Sequence, residues 1–142
     1  MTLKYSRQRQ AICDFLETRT DHPTAESVYV NVRNSFPNIS LGTVYRNLAL
    51  LTNMGEIRRL AVEGGADHYD GNLTPHSHFF CRSCGAILDL APVDSRKLEQ
   101  AAGAESGGVV EETTVWFSGL CSRCAGTAEE QTAGKQKTSN RA

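Results

Sequence analysis

Hydrophobic residues recur every three to four positions in three stretches of the first half of the chain, a spacing that places them on one face of a helix. This pattern predicts helices over residues 6–20, about 24–35 and 41–54. Ser40 stands before the third helix as an N-cap residue, and Gly55 follows it as a residue that readily ends a helix. The first half is therefore expected to be mainly helical.

The third predicted helix has an apolar face and an opposite face of small residues around one arginine. Its apolar residues are Leu41, Val44, Leu48 and Leu51. An outward face of small residues can approach another surface closely, as insertion into the major groove of DNA requires. An ordinary solvated face is the alternative, but it more often carries Glu/Lys pairs at i, i+4, which this helix lacks. We expect Thr43, Tyr45 and Arg46 to contact DNA.

Two short segments with β character follow, at 57–62 and 66–69, and a pair of glycines between them indicates a hairpin. Three helices and a hairpin are the elements of a winged-helix domain. Arg58 and Arg59 lie on the first strand of this hairpin. They are expected to contact the phosphate backbone of DNA.

The second half of the chain carries alternating strand and helix signals. Strands are predicted at 78–80, 86–90 and 109–117, and a helix between the last two is predicted to begin near Asp94 and end at Gly103. This order indicates a small α/β domain. Together with the winged helix it predicts an α+β protein.

The predicted elements divide the chain into four parts. Residues 1–70 form the winged-helix domain, and the turn-rich residues 71–77 form a hinge. Residues 78–125 form the second domain. Residues 126–142 contain no large apolar side chain and are expected to be a disordered tail.

Charge is unevenly distributed along the 142 residues, although the net charge is only −1. Residues 1–62 carry a net charge of +3 and residues 63–142 carry −4. A basic first half suits contact with phosphates, although scattered surface charge explains the same numbers. No apolar run is long enough to span a membrane and no secretory signal opens the chain, so we expect a cytoplasmic protein without membrane association.

Four of the five cysteines form two Cys-x-x-Cys pairs. In the reducing cytoplasm such pairs favour a thiolate-bound metal over disulfides. The pairs Cys81/Cys84 and Cys121/Cys124 are expected to hold one structural Zn(II) tetrahedrally, since a thioredoxin-like redox site would need a single pair at the start of a helix. The fifth, Cys13, is expected to be a small core residue.

Residues on both sides of the first cysteine pair form a second candidate metal site. His76 and His78 are two residues apart, so on an extended segment both side chains leave the same face. Asp70 and Asp89 flank them. Two imidazoles and two carboxylates suit Fe(II) or Mn(II), with Zn(II) as a competitor. From the residues alone, a metal site is no more favoured than the alternative, in which these are ordinary surface or core side chains with hydrogen-bond partners.

Five motifs together resemble the ferric uptake regulator (Fur) family of bacterial metal-dependent repressors: HPTAESVY, FPNISLGTVYRNL, DHYDGN, PHSHFFCRSCG and CSRC. The resemblance covers about residues 5–125. It implies a homodimer that binds double-stranded, palindromic operator DNA through its winged helix and dimerises through its second domain. It also supports structural zinc at the four cysteines.

Within this family the chain is most similar to the peroxide-responsive branch (PerR). The resemblance implies a regulatory Fe(II) or Mn(II) site formed by three histidines and two aspartates, at the positions His22, Asp70, His76, His78 and Asp89. Iron-sensing relatives tend to carry Glu at the two Asp positions. The resemblance further implies that peroxide reacts at the iron-loaded site and oxidises His22 or His76.

Three other functions compete with peroxide sensing. The nearest is an iron-availability sensor of the same fold. A zinc-stabilised protein-interaction module without DNA affinity is the second. An enzyme is the least favoured, because five protein ligands leave at most one open metal position, and we expect no small-molecule partner other than peroxide as a signal.

Overall fold

The structure is a computed structural model that describes residues 6–126. The chain divides into two compact units with their boundary between Thr74 and Pro75. This boundary falls within 71–77, where the sequence predicts a hinge. All but the first residue of the predicted tail at 126–142 lies outside the described residues.

The first unit contains three helices followed by a two-stranded antiparallel sheet, as predicted. Its elements are α1 (Arg7–Glu17), α2 (Ala25–Val32), α3 (Leu41–Asn53), β1 (Arg58–Leu60) and β2 (His68–Asp70). Each helix begins after a capping side chain, because Ser6, Thr24 and Ser40 each accept the backbone N–H three residues further on. Gly55 has φ 73° directly after the last turn of α3, as its predicted role requires.

The core of the first unit forms where the three helices meet. Its fully buried residues are Ile12, Leu16, Val28, Val44, Leu48 and Leu51. The predicted apolar faces of α1 and α3 supply most of this set. Phe15 packs against the core while remaining partly exposed, and Tyr29 does the same.

The hairpin of the first unit is shorter than predicted. Arg58 pairs with Asp70 and Leu60 pairs with His68, so the strands cover three residues each. The glycine pair lies in a loop of seven residues, and Gly64 adopts φ 73°. A loop of this length turns the chain without the tight two-residue connection, and the flanking residues therefore leave the ladder.

The described part of the second unit is a three-stranded sheet with one long helix and a short helical segment at 122–126. Its elements are β3 (Ser77–Cys81), β4 (Ile87–Leu90), α4 (Arg96–Ser106) and β5 (Trp116–Gly119). The strand order is β4-β3-β5. β4 pairs antiparallel with β3 across the first cysteine turn, whereas β5 returns after α4 and pairs parallel with β3.

The predicted limits of two elements in the second unit are wrong. α4 continues past Gly103 and ends at Gly107, which has φ 68° and donates its N–H to the Gly103 carbonyl. β5 covers 116–119 rather than 109–117. A strand needs a partner, and β3 offers β5 only the four positions from His78 to Cys81.

Large apolar side chains remain exposed on every element of the second unit except the central strand. They include Leu88 and Leu90 on β4, Leu98 on α4, and Trp116 and Phe117 on β5. α4 has no buried residue at all. Within residues 6–126 no helix is long and apolar enough to cross a membrane.

Candidate metal centres and nucleic-acid interface

The four cysteines of the second unit lie together, as predicted. Their sulfur atoms are all within 4.8 Å of one another, and the Sγ atoms of Cys84 and Cys121 are 3.8 Å apart. A tetrahedral zinc ion with bonds of about 2.3 Å to sulfur requires neighbouring sulfurs to be roughly 3.8 Å apart. A disulfide would bring the two sulfurs to about 2 Å. The geometry therefore fits zinc and excludes a Cys84–Cys121 disulfide in this structure.

The first cysteine pair is presented by a tight turn between β3 and β4, and the second lies after β5, where a short helical segment at 122–126 begins. In the first turn the N–H of Gly85 donates to the Cys81 carbonyl at 2.9 Å, and Gly85 adopts φ 76°. The parallel pairing of β5 with β3 then delivers the second pair, and the N–H of Cys121 points at the Cys81 sulfur at 3.3 Å. The fold thus joins two pairs that 36 residues separate.

Backbone N–H groups favour a thiolate at one corner of this cluster. Hydrogen bonds from the N–H of Cys84, and next from that of Cys121, hold the pKa of Cys81 down to about 6. The hydroxyl of Ser83 lowers the pKa of Cys124, but contacts with the other cysteine sulfurs and burial outweigh it and raise that pKa to about 11. Zinc binding must therefore displace protons from part of the cluster, because only thiolates coordinate the ion.

Two of the predicted regulatory ligands lie together in the first unit. The Nδ1 atom of His22 is 3.7 Å from Oδ2 of Asp70, and both side chains are fully buried. Imidazole and carboxylate groups suit a divalent ion such as Fe(II) or Mn(II). Buried ionisable groups of this kind occur where they are paired or bind a metal.

Asp70 is held by the turn that follows β2. Its Oδ1 accepts the N–H of Asn72 at 2.9 Å, while its other oxygen, Oδ2, is the one beside His22. A side chain at Gly71 would place its Cβ 2.7 Å from the Leu16 carbonyl carbon, so only glycine fits there. Asn72 is missed by sequence reasoning, although the Asp-x-Asn spacing is typical of such a turn.

His22 is the single non-glycine residue within 6–126 with a positive φ, at 51°. The left-handed conformation costs an L-residue roughly 1–2 kcal/mol. Backbone strain of this kind concentrates at functional sites. Sequence reasoning from residue patterns does not find His22, because a lone histidine before proline carries no ligand spacing.

The other three predicted regulatory ligands lie together in the second unit. Oδ1 of Asp89 is 3.3 Å from Nε2 of His76 and 3.4 Å from Nε2 of His78. The register of the sheet causes this convergence, because His78 pairs directly with Asp89 across β3 and β4. The two imidazole centroids are 4.5 Å apart, and both histidine side chains are largely buried. Each unit therefore carries its own cluster of histidine and aspartate ligands.

The predicted DNA-contacting face of α3 is exposed. Tyr45 is 48% exposed, and Arg46 is exposed beside it. The Arg46 guanidinium lies back over Gly42 and donates to the Thr43 hydroxyl at 2.9 Å. Thr43 in turn contacts the capping hydroxyl of Ser40 at 2.9 Å. This chain of contacts keeps the arginine extended along the helix surface.

The two arginines of β1 are also exposed, but strand alternation directs them to opposite faces of the hairpin. Arg58 donates to the Leu73 carbonyl at 3.4 Å, and Arg59 lies 3.7 Å from the Asp67 carboxylate. Exposed pairs of this type are weak, so neither contact prevents a phosphate from binding either guanidinium.

Comparison with known proteins decides the family. The model of the family described as "Ferric uptake regulator family" matches residues 1–117. The chain belongs to the ferric uptake regulator family. Fur-family members are metal-responsive transcription regulators and DNA-binding dimers, not enzymes.

Individual relatives agree with this assignment. The chain is 30% identical over 123 residues to the peroxide operon regulator of Bacillus subtilis, covering 87% of this chain and 85% of that protein. It resembles the crystal structure of the Campylobacter jejuni peroxide stress regulator with a TM-score of 0.71 and 28% identity, covering 82% of this chain and 88% of that one. The Helicobacter pylori ferric uptake regulator shares the fold, with a TM-score of 0.76 and 22% identity, and 87% and 83% of the two chains covered.

Proposed function

We propose that this Fur-family regulator is a peroxide-responsive repressor. A homodimer binds palindromic operator DNA while Fe(II) or Mn(II) occupies the regulatory site, and it leaves the DNA when the iron-loaded form meets peroxide. The observation that carries the proposal is the placing of His22 with Asp70 in one unit, and of His76 and His78 with Asp89 in the other.

The donor atoms of the two sites support a structural role for one metal and a regulatory role for another. Four thiolates suit Zn(II), which has no redox chemistry and is suited to a structural role. Histidine and aspartate suit Fe(II) and Mn(II). The family resemblance supplies the further step of assigning all five regulatory ligands to a single ion.

Ligands drawn from both sides of the 71–77 hinge explain how metal would control DNA binding. If His22 and Asp70 share an ion with the ligands of the second unit, the metal restricts motion at the hinge. The binding-competent arrangement then becomes the main population. A coupling of about 1–3 kcal/mol, which is usual for allosteric proteins, changes DNA affinity roughly 5–150-fold.

Peroxide sensing requires a redox-active ion beside an oxidisable ligand. When bound, Fe(II) supplies electrons that reduce hydrogen peroxide, which Mn(II) in the same site does not. One peroxide oxygen would replace a hydrogen on a ring carbon of His22 or His76 and the other would leave as water, so that the imidazole is the final two-electron donor. The oxidised ring would no longer act as a ligand. Losing one of five ligands weakens the restraint on the hinge and lowers operator affinity.

The dimer is supported by the exposed apolar side chains of the second unit. A small domain that leaves large apolar residues exposed on several elements needs a partner to cover them. In a two-fold symmetric dimer the same face of each chain meets its copy. The two α3 helices are then available to successive half-sites of a palindrome.

The deciding experiment measures operator binding by the Fe(II)-loaded and Mn(II)-loaded dimers, each with and without hydrogen peroxide. The probe is a palindromic duplex selected from a random library by the Mn(II)-loaded protein. We expect peroxide to release only the iron form, with an added oxygen on His22 or His76 detected by mass spectrometry. Release without added oxygen on either histidine would contradict the oxidation step.

The same experiment separates the competing functions. An iron-availability sensor would respond to chelation but ignore peroxide at constant metal. A protein-interaction module would select no duplex from the library.

The proposed DNA contacts have distinct signatures. Removing a base contact with Arg46→Ala should relax sequence preference, by about 1–3 kcal/mol at the contacted position. Removing a phosphate contact with Arg58→Ala or Arg59→Ala should weaken all sequences equally and flatten the salt dependence. Testing the two arginines of β1 separately shows which face of the hairpin meets DNA.

A further inference from the structure

We propose that His68 is a positioning residue that holds His22 in the conformation needed to bind the regulatory metal. The inference rests on the proposed function insofar as His22 is taken to be a regulatory ligand. His68 lies on β2, two residues before Asp70, and is not itself a predicted ligand.

The contact between the two histidines has a defined direction. Nδ1 of His68 lies 2.6 Å from the backbone carbonyl oxygen of His22. A carbonyl oxygen can only accept a hydrogen bond, so the proton must be on Nδ1 of His68 and that nitrogen must donate. The contact is partly buried, where a hydrogen bond faces less competition from water.

This hydrogen bond is made by the one non-glycine residue of 6–126 that has a positive φ. His22 has φ 51°, and the proline that follows disfavours the right-handed α conformation at this residue. A return to negative φ would swing both the carbonyl and the imidazole of His22. Fixing the carbonyl therefore also fixes the direction in which the imidazole leaves the chain.

The two residues that follow His22 are also held against β2. The N–H of Tyr69 donates to the Pro23 carbonyl at 3.0 Å, and Thr24 forms an antiparallel bridge with His68. β2 thus carries Asp70 directly and holds His22 through the side chain of His68. One strand sets the separation between the two ligands.

Matched substitutions isolate the donor from the bulk of the side chain. An asparagine amide places its N–H₂ near the position of Nδ1, so His68→Asn should keep the bond to the carbonyl. His68→Leu has a similar size without a donor, and His68→Gln moves the donor one bond further out. Asp70→Asn serves as the control that replaces the proposed carboxylate ligand with a neutral, weaker amide donor.

The primary measurement is Mn(II) binding to the zinc-loaded dimer, followed by the electron paramagnetic resonance signal of free Mn(II). Loss of a supporting hydrogen bond to a metal ligand typically weakens affinity about 10–100-fold. We therefore expect affinity to fall at least about 10-fold in His68→Leu and His68→Gln. His68→Asn should stay close to the unmodified protein. Zinc content and the thermal midpoint report whether each variant is folded.

A second measurement follows where oxygen is added after Fe(II) and peroxide. A displaced His22 should lose its share of the added oxygen to His76 in His68→Leu but not in His68→Asn. A purely structural role for His68 would lower stability without changing this ratio.

The outcomes separate this inference from the proposed function. If the unmodified protein binds no Mn(II), or if Asp70→Asn binds it undiminished, the proposed ligand set is wrong. If those two proteins behave as proposed while His68→Leu binds Mn(II) like the unmodified protein, the positioning role is overturned. Should the leucine variant fail to fold, equal affinities of His68→Asn and His68→Gln overturn it instead.

Discussion

The two units of this regulator reach a folded state by different means. Within the described chain, twelve of the fourteen buried hydrophobic residues lie in the first unit, and the second unit contributes only Cys81 and Ile87. The first unit closes three helices over a shared core. The second unit has one sheet, an uncovered helix and a cluster of four sulfurs.

The contrast indicates that a bound metal can replace the stabilisation that a hydrophobic core normally supplies. Burial of apolar surface is the main favourable term in the folding of an ordinary domain. A unit with almost no buried apolar side chains must obtain that free energy elsewhere. Structural zinc and a partner subunit are the two sources consistent with its sulfur cluster and its exposed apolar residues.

The largest effect is expected from removing zinc. Cys121→Ser removes one thiolate, and structural zinc typically contributes apparent binding free energies of about 10–16 kcal/mol. We expect amide-exchange protection to disappear from β3, β4 and β5, while α1 to α3 stay protected. Cys13→Ser is the control, since its thiol is not part of the cluster. A protected sheet in the zinc-free variant would show that the second unit has a sufficient core after all.

A cavity in the first unit should have the opposite result, because it should destabilise the helices and leave the zinc site of the second unit intact. Leu48 is fully buried at the centre of the helical core. Leu48→Ala should lower the free energy of unfolding of this unit by about 2–5 kcal/mol and leave zinc content unchanged. Urea unfolding followed by circular dichroism measures the loss. Val30→Ala, on the exposed side of α2, should change it by no more than about 0.5 kcal/mol.

A charge on the uncovered helix of the second unit tests the partner subunit. Leu98 is 57% exposed on α4. If the dimer covers this side chain, Leu98→Asp should raise the dimer dissociation constant at least about 10-fold, which corresponds to about 1.4 kcal/mol. Sedimentation equilibrium measures the constant. Lys97→Asp on the same helix changes more charge but loses less apolar surface, and an equal effect from it would assign the result to charge.

The most local effect, confined to one side chain, concerns Cys13, which is half-buried on α1 rather than part of the fully buried core. Burial, followed by the charge of Glu56 and a hydrogen bond to its carboxylate, raises the pKa of Cys13 to about 11. The thiolate fraction at pH 8 is then about 100-fold below that of an ordinary thiol at pKa 9.0. Alkylation of the zinc-loaded protein should be slow, should accelerate as pH rises towards 11, and should accelerate at constant pH in Glu56→Gln. Peptide mass spectrometry gives the rate at this cysteine.

Sequence patterns predict the first unit better than the second, and the core explains why. The inward face of α3 is visible from spacing alone because Val44, Leu48 and Leu51 all pack into one core. β5 is misplaced because its length is set by the partner strand, which its own residues do not specify. Gly103 also misleads, since it tolerates the helical conformation while Gly107 supplies the left-handed cap.

The proposed metal ligands also differ in how far the sequence reveals them. The cysteine pairs can be read from the sequence because the two members of each pair are only three positions apart. His76 and His78 are indicated by their i, i+2 spacing and Asp89 by its place after the first cysteine pair, whereas the register that pairs His78 with Asp89 is seen only in the fold. His22 lies 48 residues before Asp70 and meets it only through the fold, and His68 contacts His22 through a backbone atom that no sequence pattern records.

The parallel pairing of β3 with β5 affects the order in which the two units can fold during synthesis. Synthesis proceeds from the N-terminus, so the helical unit is complete and able to fold before Cys121 and Cys124 have left the ribosome. Until β5 and the residues after it have been synthesised, Cys81 and Cys84 supply only two of the four sulfur atoms of the cluster. Maturation of the second unit is thus a late event, dependent on the supply of zinc in the cell at that moment.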